Sequence, residues 1–288
     1  MRINHNITAL NTYRQYNTNT VNTNKSMEKL SSGMRINRAA DDAAGMSISE
    51  KMRSQIRGLT QASRNAQDGV SFIQTAEGAL NEVSDMLTRM KELATQVQND
   101  SYSDEDRVNI GSEMKALGKA ITDIYVNTKF NGKQVFGEQS AELLADDSLV
   151  SADGSGDAAT ITYGEDAGQS LDIKQAKTEE LSTLTGLTSA ATTAAAAQLV
   201  TTSAVEAAIT EVNTTRANYG AWQNQLEHAV NNMSTTKENL QAAESRVRDV
   251  DMADEMMNYT KNNILLQAAQ AMLAQANAQP QGVLQLLQ

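Results

Sequence analysis

Along most of this 288-residue chain, apolar residues recur in alternating steps of three and four. That is the period of helices that wind around one another, and it leaves little room for any other architecture. From Leu59 the series runs through Ala62, Ala66, Gly69, Ile73, Ala76, Leu80, Val83, Leu87, Met90, Ala94 and Val97 with no charged residue on it. This predicts one long helix. A second helix is expected after Ser103, which can cap it, with Asp104, Glu105 and Asp106 favouring the positive helix start. Its seam is Ile110, Met114, Leu117, Ile121 and Ile124. A return series follows later: Val205, Ala208, Val212, Thr215, Tyr219, Trp222, Leu226, Ala229, Met233, Thr236, Leu240, Ala243, Val247 and Val250, weakened only at the two threonines.

Between outgoing and returning helices the rhythm stops. Lys129 to Phe136 place Asn131-Gly132 between short apolar flanks, a β-hairpin signal. Residues from about 137 to 185 are rich in Gly, Ser and Asp, with β-prone pieces at Ile161-Thr162-Tyr163 and Leu171-Asp172-Ile173. From Glu138 to Glu180 eleven acidic residues face only Lys174 and Lys177, a net of −9 within a chain whose total is −11. The expected fold is mainly α: an elongated antiparallel helical bundle or coiled coil built from the N- and C-terminal regions. A β-hairpin and a small variable outer segment, β-containing or irregular, complete it. The expected segments are 1–43, 44–137 with the hairpin, 138–185 as the acidic surface segment, 186–250 as the return helix, and 251–288.

Composition excludes several function classes. With no cysteine there is neither a disulfide framework nor a cysteine zinc site, and Pro280 is the only proline. An acidic chain lacks the clustered Lys and Arg that nucleic acid or anionic lipid would need, so neither is expected as a partner. The N-terminus has no continuous apolar block like that of a secretory signal, and no run is long enough to span a bilayer. The expectation is therefore a cytoplasmic chain, or one exported without a cleaved classical signal.

The two ends point toward function. From residue 3 to 24 the only full charge is Arg14, and from 261 to 288 it is Lys261. An exposed helix normally carries a charged face, so these ends look meant for burial. Yet Asn17, Asn24, Gln267, Gln270 and Gln275 make them too polar for membrane spans. Burial against a single partner helix does not clearly offset the backbone entropy of ordering them. Both ends are therefore expected to be weakly ordered in the free subunit and to settle when identical neighbours bury them.

The sequence becomes recognisable at several motifs. Leu30-Ser31-Ser32-Gly33-Met34-Arg35-Ile36-Asn37 and Asp41-Asp42-Ala43-Ala44-Gly45 closely resemble the N-terminal hallmark of bacterial flagellins. So do Gly58 to Ala66, Asp68-Gly69 and Glu77 to Glu82, and at the far end Leu273-Ala274-Gln275-Ala276-Asn277, Pro280-Gln281 and Val283-Leu284. The resemblance covers roughly residues 1 to 137 and 200 to 288, about three quarters of the chain. It implies a non-enzymatic subunit, exported unfolded, that polymerises into a filament for swimming, with terminal helices forming an inner tube and the acidic segment facing solvent. A hook-filament junction protein, which has similar termini, is the alternative. The implied assembly residues are Ile3, Ile7, Leu10, Val21, Leu30, Arg35, Asp41, Asp42, Ile264, Leu265, Leu266, Met272, Leu273, Val283, Leu284, Leu286 and Leu287. The implied partners are further copies, an export chaperone, the filament cap and hook-associated proteins.

A further motif, Leu87 to Gln96, resembles the helix by which many flagellins are bound by the flagellin-sensing Toll-like receptor of animals. Arg89, Glu92, Leu93 and Gln96 fall on matching positions, as does Glu113. The pattern departs at Leu117, where stimulatory members carry arginine, and the chain closes Leu286-Leu287-Gln288 where the family commonly ends in arginine. Other readings stay modest. Arg35, Arg38, Asp41 and Asp42 fit either a turn with surface ion pairs or a contact between subunits. Trp222 and Tyr219 fit the core. His5 and His228 have no zinc spacing, the aspartates lack calcium-loop spacing, and there is no phosphate loop, so no catalytic residue, metal or cofactor is expected.

Overall fold

The computed structural model describes residues 6–136, 159–164, 169–173, 184 and 193–285. In chain order it contains α1 (Ile7–Ser32), α2 (Ala43–Val97), α3 (Asp104–Asn127), β1 (Lys129–Phe130) and β2 (Lys133–Gln134). Then come β3 (Ala159–Thr162), β4 (Ser170–Ile173), α4 (Ala194–Gln198), α5 (Thr202–Arg248) and α6 (Met252–Gln285). These elements divide between two compact units, one formed by residues 1–56 with 237–288 and the other by 57–236. The expected segment limits near 43 and 250 coincide with breaks between helices, whereas the compact units divide inside the uninterrupted α2 and α5.

The 57–236 unit holds the main apolar core. Every α2 seam position from Leu59 to Val97 is buried, and Leu93 joins them although it lies off the seam. Between Gly69 and Lys91, α2 runs antiparallel to α5. A Cβ at Gly69 would stand 3.2 Å from Leu226, and Lys91 Nζ lies 2.9 Å from Glu206 Oε1. α3 starts with the expected cap: the Ser103 hydroxyl accepts from the Asp106 N–H while Asp106 accepts from the Ser103 N–H. Its buried positions are Gly111, Met114, Gly118, Ile121 and Tyr125. Ile110, Leu117 and Ile124 are half-buried, so two glycines occupy positions at which the sequence pattern suggested larger side chains.

Both small sheets are antiparallel hairpins. β1 and β2 pair Lys129 with Gln134 and Phe130 with Lys133. The turn between them places Asn131 at φ 50° and Gly132 at φ 82°, the left-handed pair that a two-residue hairpin demands. Phe130 meets Phe72 of α2 edge-on with centroids 5.8 Å apart. β3 and β4 pair from Ala159–Ile173 to Thr162–Ser170, joining the two β-prone pieces of the sequence. This hairpin meets α2, where the Asn65 amide donates to the Thr162 carbonyl at 3.2 Å and Ile161 occupies the space left by Gly69. The rest of the acidic 138–185 segment lies outside the described residues, apart from Tyr163, Gly164, Gln169 and Leu184.

The terminal unit contains α1, the start of α2, the end of α5, and α6. α1 ends at Gly33, whose φ of 70° is the left-handed helix cap and whose N–H donates to the Lys29 carbonyl at 2.8 Å. The chain then meets the end of α5 through a single antiparallel β-bridge between Met34 and Asp249. The Arg35 N–H donates to the Arg248 carbonyl at 2.7 Å, and the Val250 N–H donates back to the Gly33 carbonyl at 3.1 Å. Nearby, Arg248, almost wholly buried, extends its guanidinium to Glu50 at 2.7 Å, and Arg53 meets Glu244 at 2.9 Å.

Candidate assembly surfaces

α1 and α6 pack antiparallel. The Asn6 amide donates to the Ala276 carbonyl at 2.7 Å, Gln270 reaches the Tyr16 hydroxyl at 3.5 Å, and Lys29 approaches Glu255 at 3.8 Å. The seam between them is not made of large apolar residues. α1 buries Asn19, Thr23 and Ser26, spaced four and three apart, while α6 buries Ala269, Ala276 and Glu255. The Thr23 hydroxyl donates to the Asn19 carbonyl of its own helix at 2.8 Å, so its burial leaves no donor unmet. Small side chains make the seam narrow and place the bulky ones elsewhere.

The large apolar side chains lie outside that seam. Ile7 is 67% exposed, Leu10 and Val21 are also exposed, and on α6 Ile264 (61%), Leu265 and Met272 are exposed. Leu30, Leu266 and Leu273 are half-buried. Ile3, Leu286 and Leu287 lie outside the described residues, and at Val283 and Leu284 only the helical backbone is described. Tyr13, Met27, Met252, Met256 and Met257, which lie outside the implied assembly set, are exposed as well. Met256, Met257, Thr260, Lys261 and Ile264 share one open face of α6. For Tyr13 and Met27 of α1 the signal is the three-and-four spacing of Asn19, Thr23 and Ser26. It marks the covered side of α1, so bulky residues on the other side have to face outward.

Arg35, Asp41 and Asp42 are engaged within the subunit. The Arg35 guanidinium donates to the Val247 carbonyl at 2.9 Å, Asp41 accepts from the N–H groups of Asn37 and Arg38, and Asp42 accepts from the Gly45 N–H at the start of α2. The Arg38 N–H, helped by the Asn37 N–H and the charges of Lys25 and Lys29, holds the Asp41 carboxyl below its usual range against an opposing effect of burial second in size only to the Arg38 bond. Arg38 itself pairs with Glu28 at 2.9 Å. The hallmark motif is thus a turn tied by local hydrogen bonds and joined to the end of α5.

On the other unit, Arg89 bridges Glu92 at 2.9 Å and Glu113 at 3.0 Å, and all three are exposed. Glu92 first and Glu113 second raise the Arg89 pKa, so the guanidinium stays charged. Gln96 donates to the Tyr102 hydroxyl at 3.0 Å. Leu93, only 2% exposed, faces the core and can shape this surface only from beneath. Leu117 is half-buried on α3. Among the described residues no group of His, Asp and Glu is arranged to hold a metal, and no helix is long and apolar enough to cross a membrane.

Comparison with known proteins matches the two helical ends. The family described as the bacterial flagellin N-terminal helical region matches residues 3–141, and the bacterial flagellin C-terminal helical region matches residues 202–287. The chain is 49% identical over 303 residues to a flagellin of Bacillus subtilis (strain 168), covering 100% of both chains. It is 47% identical over 287 residues to a flagellin of Halalkalibacterium halodurans, again covering 100% of each. It is also 44% identical over 293 residues to the flagellar filament 33 kDa core protein of Treponema phagedenis, with 100% of both covered. A solved structure of a putative flagellar hook-associated protein from Vibrio parahaemolyticus covers 73% of this chain and 100% of its own, with a TM-score of 0.59 at 17% identity. That last likeness is one of fold alone and lends no weight to the junction-protein alternative, whereas the full-length relatives carry filament names.

Proposed function

Because this chain belongs to the bacterial flagellin family, and so is a structural subunit of the extracellular flagellar filament and not an enzyme, we propose that it polymerises through the outward apolar faces of α1 and α6. The observation that carries this reading is an inversion of the usual helix pair. Polar and small residues fill the seam inside the subunit, while Ile7, Leu10, Val21, Ile264, Leu265 and Met272 face solvent. Such a surface gains stability only when a neighbour removes it from water, at roughly 25 cal/mol per Å² of apolar area. Identical neighbours present the same faces and can supply that burial repeatedly. Leu30, Leu266 and Leu273, half-buried already, extend the faces. Arg35, Asp41 and Asp42 act from within, holding the turn that sets the direction of α1.

Removing residues 264–288 should abolish seeded polymer growth while leaving the helical content and cooperative unfolding of the 57–236 unit intact by circular dichroism. Normal fibres from a chain lacking both apolar ends would overturn the reading. The same exposed ends, before assembly, are the natural contacts for the export chaperone, the filament cap and the hook-associated proteins. Each should be retained by the full chain and lost by the truncated one in a pull-down, and undiminished retention by the truncated chain would refute that assignment.

The exposed Arg89, Glu92 and Glu113, with the half-buried Gln96 beside them, form a preorganised polar surface of the kind that the Toll-like receptor of animal hosts would meet, with Leu93 supporting it from the core. Replacing Arg89 with Ala should reduce receptor-driven reporter signal by tenfold or more without altering folding. An unchanged signal would remove this surface from consideration.

A further inference from the structure

Thirteen methionines and no cysteine make the thioether the only sulfur chemistry of this chain. The structure sorts several of these methionines sharply. Met90, Met114 and Met233 are buried in the 57–236 unit, while Met27, Met252, Met256, Met257 and Met272 stand exposed on α1 and α6. Met256 is 51% and Met257 66% exposed, and both share one open face of α6 with Thr260, Lys261 and Ile264. An exposed apolar thioether on a surface that must later become dry is open to oxidation and sensitive to its result.

We propose that Met256 and Met257 are peroxide-modification sites whose oxidation stops subunit addition. This rests on the reading of the outward α6 face as a surface that docks onto another copy. In the reaction a sulfur lone pair attacks one oxygen of hydrogen peroxide. An S–O bond forms as the O–O bond breaks, sulfur gives up two electrons, and the proton of the attacked oxygen passes to the departing oxygen, which leaves as water. The flexible apolar side chain becomes a polar sulfoxide whose oxygen needs a hydrogen-bond donor. Ile264 supplies none and the Thr260 hydroxyl already donates to the Met256 carbonyl, so docking would bury the sulfoxide oxygen either unmet or with the Lys261 ammonium drawn into the dry interface beside it. Enzymatic reduction of both sulfoxide epimers returns the thioether and, with it, the capacity to add to a filament.

The experiment treats full-length monomer with hydrogen peroxide, removes the oxidant, maps sulfoxides by peptide mass and measures the rate of seeded elongation. Wild-type protein oxidised at Met256 and Met257, with Met90, Met114 and Met233 intact, should elongate at least tenfold more slowly. Methionine sulfoxide reductases of both epimer specificities should restore the rate. The Met256→Leu/Met257→Leu variant keeps the apolar bulk without the oxidisable sulfur, and after peroxide should retain at least half of its untreated rate. Equal slowing of that variant, or undiminished growth of wild-type protein fully oxidised at both positions, overturns the proposal. Should the double variant fail to assemble even untreated, the partly reduced wild-type series decides: the rate must follow sulfoxide occupancy at these two residues. Untreated Met257→Glu separates the two ideas. If it elongates at the wild-type rate, the docking reading of this face fails. If it stops while the sulfoxide form grows freely, only the oxidation proposal fails.

Discussion

At Gly45 the fold accepts a hydrogen atom and little more. A Cβ there would stand 2.8 Å from Ile36 Cδ1 and would collide with the Asp42 carboxylate, which is held in place by the Gly45 N–H. Neither obstacle yields easily, because Ile36 is buried and the carboxylate caps α2. Gly45→Ala should therefore cost about 1–3 kcal/mol by overpacking, despite alanine being the better helix former. Gly78 on the same helix has nothing within 4 Å, so Gly78→Ala should stabilise by about 0.5–1 kcal/mol. Urea denaturation of the two variants, one moving down and the other up, checks the pair. Asp41 gives a pH prediction. Its folded pKa lies below the ordinary 3.8, so its stabilisation of the turn is fully present above that value and is lost as pH falls through the lower, folded one. The carboxyl carbon resonance should titrate with a midpoint below 3.8, and a midpoint at or above it would contradict the hydrogen-bonded turn. The sequence exposed the mixed charges of this turn but not their use, because one partner, Val247, is 212 residues away.

Among the elements, α2 was the most legible. Its seam positions from Leu59 to Val97 are all buried because each points into a packed apolar core, where periodicity and burial coincide. α5 follows its pattern less strictly as far as Met233, with Val205, Ala208, Val212, Tyr219, Leu226 and Met233 buried but Thr215, Trp222 and Ala229 only half-buried. Beyond Met233, Thr236 is exposed and Leu240 and Ala243 are half-buried, since α5 there faces the ion-paired start of α2 at Glu50 and Arg53. On α3 Met114 and Ile121 are buried as their pattern implies, but Ile110, Leu117 and Ile124 are only half-buried while Gly111 and Gly118 are buried, because glycines carry no side chain for a hydrophobic pattern to register. α1 and α6 hid their inner faces for a similar reason: Asn19, Thr23 and Ser26 look like surface residues in sequence. A seam so poor in apolar contact should open often. Amide exchange of the free subunit should therefore show weak protection in α1 and α6 and strong protection in the seam of α2, with α1 and α6 gaining protection only in the polymer. Equal, strong protection of both helices before assembly would refute that ordering.

For the whole molecule, the sequence divided itself where the relatives divide it. The hallmark motifs span roughly residues 1–137 and 200–288, and the family matches run from 3 to 141 and from 202 to 287. The acidic stretch between them carries no periodicity from which a fold could be read, only charge, and its two β-prone pieces became legible as partners once β3 and β4 were seen to pair. The reciprocal main-chain bonds between residues 33–35 and 248–250 carry a consequence for the time course of folding. They join points more than two hundred residues apart in the chain, contacts of the kind that form late because so much intervening polypeptide must first be ordered. A polypeptide emerging with its amino end in front cannot fix the position of its opening helix until the last quarter of its length is free. The clasp therefore closes only after residues 248–250 have emerged, and a chain terminated before them would carry its leading helix unanchored.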